Sequence, residues 1–313
     1  MGAIHQLILS HGVDRAKALA ASEAERRCID TASAVMSDEE QRIGIMHAGF
    51  AMTALPHKAV ADRIWVRQGG AIRLIVESGL DPNHVPIGLP YGASARMILL
   101  YLQTEAVRTR SREVELGRSM NQWLTAMGVD NGGKGYRLIR EQSKRLSLCR
   151  LTFYRITDRT TFVTNGSFVR SAILPNYGYD QLQLWHESVK LDEGFYQSLI
   201  DHPLPLREAA IKEISHRSMS IDIYIWLAYR LHELSRPIPI SWKALQEQFG
   251  AGFNRLRAFR EKFREPLALA LAAYPEAKVS TDEAGMVLYP SAPPIPQGRV
   301  SGTSRCLPRQ AGA

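Results

Sequence analysis

The sequence is short of the residues most chemistries need in clusters. It has 3 cysteines, and Cys28, Cys149 and Cys306 stand too far apart for a zinc-ligand spacing. An odd, scattered set of this kind fits a reducing cytoplasm rather than a disulfide framework. No apolar run approaches the length of a membrane span. The opening MGAIHQLILSHGVDRA lacks a basic leading region, so no signal peptide is expected. The 9 histidines are dispersed, and none lies two residues from another. That removes the His-hydrophobe-His site of metal-dependent DNA-nicking enzymes. No arginine–histidine–arginine set with a late tyrosine is legible; Tyr289 is late but reads as core. Asp192-Glu193 reads as a helix start or solvated surface rather than a nuclease pair, and Trp226 and Tyr229 read as core. No catalytic residue, metal site or cofactor is therefore expected.

Acidic residues are also in deficit. Against 31 Asp and Glu stand 39 Lys and Arg, a formal net charge of +8, with a pI near 9.5. Such a balance suits a polyanionic partner.

One stretch brings the charge to a focus. GVDNGGKGYRLIREQSKRL, Gly128 to Leu146, opens with the G-x-x-x-x-G-K of a nucleotide-binding loop. A phosphate cradle of that type needs a preceding strand and a Ser or Thr after the lysine. NQWLTAM before it reads as helix, and Gly135 follows Lys134. The glycines therefore read as a turn: Gly128 stops one helix, and Gly132-Gly133 redirect the chain. The helix expected from Tyr136 to Cys149 has Leu138, Ile139, Gln142, Leu146 and Cys149 on one side. Arg137, Arg140, Lys144 and Ser147 occupy the other.

Around this helix an order emerges. RIWVRQGGAIRLIVES, Arg63 to Ser78, reads as a hairpin turning at Gly69-Gly70. Helices are expected over Ala93–Thr109, with an apolar stripe, and over Gly117–Met127, capped by Ser119. Arg150 to Val169 reads as strands with turns at Thr157-Asp158-Arg159 and Asn165-Gly166. Helix, helix, turn, basic helix and hairpin make a winged helix. The order recurs. Ser220–Leu234 is an apolar helix with Asp222 near its start, and Ile240–Gly250 is a helix capped by Ser241 and Gly250. Phe253–Arg264 is a basic helix broken or kinked at Pro266, and Ala277–Pro290 is a second wing around Asp282 to Gly285. Here Leu256, Phe259 and Phe263 face inward, with Asn254, Arg257 and Arg264 outward and Arg260 at the border.

The expected class is thus α+β, mainly helical, with two winged-helix domains in tandem. Residues 1–44 form a partly helical arm, surface-lying or mobile. Residues 45–175 make the first winged-helix domain and 176–215 a structured linker, a short helix and another helix separated by a hinge at Pro203 and Pro205. Residues 216–295 make the second domain and 296–313 a disordered tail. Residues expected to meet double-stranded DNA are Lys134, Arg137, Arg140, Lys144, Arg155 and Arg159 in the first domain. In the second they are Asn254, Arg257, Arg260 and Arg264. Arginine suits both phosphate and the guanine edge in the major groove.

GLPYGASARMILLYLQTEAVRT, SREVELGRSMNQWLTAMGV, GGKGYRLIREQSKRL, VKLDEGFYQSLIDHPLPLREAAI and SIDIYIWLAYRLHEL, in that order, resemble the plasmid-encoded RepA family of replication initiators. The resemblance spans about Ile45 to Pro294. It implies a cytoplasmic protein that binds direct repeats (iterons) at a plasmid origin, helps melt adjacent DNA and recruits host initiator and helicase proteins. A homodimer–monomer equilibrium, with dimerisation through the first domain and its hairpin, is implied as well. A winged-helix transcriptional regulator that represses its own promoter is the alternative reading.

Overall fold

The structure, a computed structural model, describes residues 2–115, 117–129, 132–156, 161–172 and 188–296. Three helices open the chain: α1 (Ala3–His11), α2 (Val13–Leu19) and α3 (Glu23–Met36). Ser22 caps α3, its hydroxyl accepting from the Glu25 amide. The segment is docked. Cys28, Ile29 and Ala32 of α3 pack with Ile8 and Ala16 against Ala272.

Strand β1 (Ile43–His47) leads through the short α4 (Gly49–Met52) to the hairpin of β2 (Ile64–Gly69) and β3 (Ile72–Glu77). The hairpin turns at Gly70, whose φ of +57° favours glycine. Gly69 is also required, because a Cβ there would run into the Met52 carbonyl oxygen.

Next come α5 (Gly92–Thr109), β4 (Glu113–Glu115), α6 (Gly117–Ala126), α7 (Gly133–Leu148), β5 (Arg150–Ile156), β6 (Thr161–Ser167) and β7 (Val169–Ala172). The strands β2-β3-β5-β6 form one antiparallel sheet in that order. The N-terminal hairpin thus extends the sheet formed by β5 and β6.

Four local expectations change. Helix α6 starts at Gly117, ahead of Ser119, and α7 starts at Gly133, ahead of Tyr136. Asn165-Gly166 is no turn: both lie in β6, opposite Thr152 and Leu151. Helix α5 has no single apolar stripe, since Ala95 to Thr104 are all buried. It lies amid β1, α7 and the helices over Glu193–Asp201 and Ser218–Arg230, a fully enclosed position that takes apolar residues all round.

The described part of the segment expected as a hinge is built into sheets. It comprises β8 (Ser188–Leu191), α8 (Glu193–Asp201), β9 (Pro203–Arg207) and α9 (Glu208–Glu213). Asp192 caps α8, accepting from the Gly194 and Phe195 amides, so of the two readings of Asp192-Glu193 the helix start is the one found. Strand β8 joins β4 to β7, and β9 pairs with β1 from Ile43↔Arg207 to His47↔Pro203. Pro203 and Pro205 are tolerated because β9 is an edge strand with a single partner. The other edge of β1 is satisfied by α5: Thr104 Oγ1 accepts from the Ile45 amide at 2.8 Å and Gln103 Oε1 from the His47 amide at 2.7 Å. Buried amides without partners would be costly.

The last region runs through α10 (Ser218–Arg230), a 3-10 turn at Leu231–Glu233, β10 (Ile238–Ser241), α11 (Trp242–Phe249), α12 (Leu256–Ala272), β11 (Val279–Thr281) and β12 (Gly285–Leu288). Its sheet has the order β10-β12-β11. Ser241 caps α11, accepting from the Ala244 amide. Pro266 does not end α12. The helix continues to Ala272 because Leu267 and Ala270 are buried and α12 packs on α3 and α10. Its last turn is held by the N-terminal segment, where buried His5 Nε2 donates to the Ala272 carbonyl at 3.0 Å. One apolar core, from Val35 to Leu288, runs through both basic-helix regions.

Candidate nucleic-acid interface

Helix α7 is built in two faces. Ile139, Gln142, Leu146 and Cys149, at its C-cap, are buried, as the apolar side requires. Gln142 is polar and wholly enclosed, and its Oε1 accepts from the Tyr91 amide at the start of α5. Burial pushes the Cys149 thiol up to about 12, so it acts as a small apolar residue. On the other face Arg137 and Arg140 are exposed and Lys144 is half-buried. Lys134 lies on the first turn of α7, preceded by the helix α6 rather than by a strand.

Two residues of α7 behave differently from the wheel. Ser147 is buried, at the end of a helix that also packs on β7. Arg145 is a fastener rather than a reader. It pairs with Glu141 at 2.6 Å, donates to the Leu89 carbonyl at 2.8 Å and stacks on Tyr91. Arg155 is exposed on β5. Arg159 lies outside the described residues.

Helix α12 repeats the division in its first half. Phe259 and Phe263 are completely buried, their rings tilted against each other with centres 5.0 Å apart. Arg257 and Arg264 are exposed, as is Asn254 in the loop before the helix. Leu256, expected inside, is 38% exposed at the first helical position, where the helix has only begun to meet its neighbours. Arg260 is half-buried with its guanidinium 5.2 Å from the centre of the Trp242 ring. Trp242 in turn donates from Nε1 to the Asp282 carbonyl at 3.0 Å. Asp282 closes the turn between β11 and β12, its Oδ1 accepting from the Ala284 and Gly285 amides. One indole therefore joins α11, the Arg260 guanidinium of α12 and the β11–β12 turn.

Between the two basic helices lies a buried ionic junction that the sequence does not announce. Arg96 of α5 meets Asp222 of α10 side-on: Nε to Oδ1 and Nη2 to Oδ2, both 2.6 Å. The remaining guanidinium protons go to the carbonyls of Leu55, Pro56 and Gly92. His57 stands 3.9 Å from Asp222 and shares a hydrogen bond with Ser218. Burial, then the nearby Arg96 charge, holds His57 down to about 4. A second junction is made by Arg67 of β2, which donates to the carbonyls of Glu247 at 2.9 Å and Gln248 at 2.5 Å, at the end of α11. From sequence, Asp222 is legible only as a residue near a helix start, and Arg67 only as part of a hairpin. A charged residue inside an apolar run is the one available sign.

A family model described as plasmid encoded RepA protein matches residues 89–243. These residues belong to the plasmid RepA family. The RepA-family segment takes in α5 to α10, including the basic helix α7, and ends in the first turn of α11; α12 lies beyond it. Two solved structures, of domains 2 and 3 of RctB, resemble the chain at 12% identity and a TM-score of 0.48 each. They cover 70% and 76% of this chain and 82% and 93% of their own. No curated protein matches the chain. Among the described residues, no helix is long and apolar enough to cross a membrane.

Proposed function

We propose that this chain is a plasmid replication initiator that binds repeated double-stranded sites at its origin through two winged-helix units, with α7 and α12 as the recognition helices. The RepA-family match supports the initiator role. The observation that carries the two-reader reading is the recurrence of one order. Helix, short strand, helix, basic helix and hairpin run from α5 to β6 and again from α10 to β12. Each third helix buries an apolar side and turns basic residues outward.

The units differ in how the sheet is closed. In the second, the first strand β10 pairs with the wing strand β12, the pairing a winged helix uses. In the first, β4 pairs with β8 instead, and the wing is widened by β2 and β3.

On this reading the protein works by binding in the cytoplasm. Lys134, Arg137, Arg140, Lys144, Arg155 and Arg159 engage one groove and its phosphates. Asn254, Arg257, Arg260 and Arg264 engage another. The exposed arginines neutralise phosphate, which releases counterions and makes affinity fall with salt. An arginine set against a guanine supplies sequence discrimination instead. The bound initiator would open neighbouring DNA and bring in host initiator and helicase proteins, with a monomer–dimer equilibrium controlling access.

The test is a salt titration of origin binding. Replacing Arg137 and Arg140 by alanine should lower the magnitude of the log–log salt slope by about one for each phosphate that is no longer neutralised. An unchanged slope and affinity in the folded variant would remove α7 from the interface.

A further inference from the structure

We propose that Arg67, together with the Arg96–Asp222 pair, sets the distance and rotational phase between the two recognition helices, so that the protein measures the spacing between the two half-sites of a repeat. This rests on the two-reader reading above.

The physical path is short. Arg67 sits on β2, in the sheet that also contains β5, the strand leading directly out of α7. Its guanidinium grips the Glu247 and Gln248 carbonyls, at the open end of α11, and it packs 5.6 Å from the Trp65 ring. From there the chain turns through Gly250 and Gly252 to α12. The turn is braced by Gln246 Nε2, which donates to the Phe253 carbonyl at 2.9 Å. Asn254 and Arg257 follow at once. A side chain of the first unit therefore holds the turn from which the second reader starts.

The Arg96–Asp222 pair does the same one layer deeper. It joins α5 to α10, the helices on which α7 and α12 respectively pack. Its geometry is two-pronged, with both bonds at 2.6 Å, so sliding or rotating one helix against the other would break two charged hydrogen bonds at once. Apolar packing alone is non-directional and permits small shifts. Buried ionic pairs are weak sources of net stability, and register is their best-attested use. Two readers joined without such joints would tolerate a range of separations, as a flexible linkage does.

The experiment is a spacing series. The full chain is titrated onto duplexes carrying one repeat, with zero, one, two or five base pairs inserted between the two protected grooves. Each added pair rotates the second groove by about 34°, given about 10.5 pairs per turn. The wild-type chain is expected to lose roughly a hundredfold or more at five inserted pairs, the value of a second, intramolecular engagement.

Arg67→Ala, Arg67→Lys and the double replacement Arg96→Met with Asp222→Leu are then compared, each checked for folding by circular dichroism. The double change removes both charges together, so no lone charge is left buried. The proposal expects the one- and two-pair penalties to shrink at least threefold in Arg67→Ala and in the double variant. Arg67→Lys should fall between: both bonds leave the single nitrogen Nη2, which an ammonium can imitate, but on a shorter, freely rotating stem that does not fix the direction of either bond. If the wild type is spacing-sensitive and the folded variants are equally so, the clamp is overturned while the two-reader model stands. If the wild type ignores spacing altogether, both fall. Should Arg67→Ala fail to fold, the double variant and Arg67→Lys carry the same comparison.

Discussion

Removing the Asp222 carboxylate alone should be among the most damaging single changes in the chain. The Arg96 side chain is 4% exposed, and Asp222→Ala deletes two of its hydrogen bonds while leaving the charge where water cannot reach it. Stranding one partner of a buried pair costs about 3–5 kcal/mol. The carbonyls of Leu55 and Gly92, at 2.7 and 2.8 Å, still receive protons from Arg96 and place the loss near the lower end. With a urea slope near 3 kcal/mol/M, a loss of about 3 kcal/mol moves the midpoint down by roughly 1 M. Replacing both residues, Arg96→Met with Asp222→Leu, should restore most of that stability, because the desolvation cost disappears with the attraction. Equilibrium urea unfolding of the two singles and the double gives the coupling directly. A loss below about 1 kcal/mol for Asp222→Ala, with no recovery in the double, would mean that the junction is hydrated and holds nothing.

Three further outcomes follow from the packing and the buried histidines. Phe263→Ala, at a fully buried site among Trp242, Phe249 and Phe259, should cost about 3–5 kcal/mol, read by thermal or urea unfolding; a change under about 1 kcal/mol would contradict the two-faced α12. Burial holds His57 down to about 4 and His47 to about 3, below an unfolded value near 6.5. Both therefore favour the folded state while neutral, and stability should decline as pH falls from about 6.5 towards 4. His57→Asn should flatten that acid limb, and an identical pH profile would refute the assignment. Trp242→Phe keeps a ring under Arg260 but removes the donor to Asp282, so it should weaken origin binding with only a modest loss of stability; binding equal to wild type would separate the wing from recognition.

Much of the candidate interface is legible in the sequence because it rests on local signals. The basic and apolar sides of α7 and α12 follow from helical spacing. The hairpin, expected to turn at Gly69-Gly70 and turning one residue later at Gly70-Ala71, and the cap at Ser241 follow from turn and cap chemistry. The signals fail where partners are distant in sequence. PLPLR looks like a proline break, and becomes β9 only because β1, far back in the chain, offers an edge. EVE is too short to read as a strand until β8 pairs with it. Pro266 looks like a helix end, but packing on α3 and α10 outweighs one missing hydrogen bond. Asp222 and Arg96 each read as ordinary helix residues; only the docking of α5 on α10 makes them a pair.

The most direct measurement is a footprint of the full chain on a single origin repeat, beside variants that strip each reader in turn. The account predicts two protected major-groove segments about one helical turn apart. Arg137→Ala with Arg140→Ala should erase one segment, and Arg257→Ala with Arg264→Ala should erase the other. Protection of a single segment, or loss of the same segment in both variants, would contradict it.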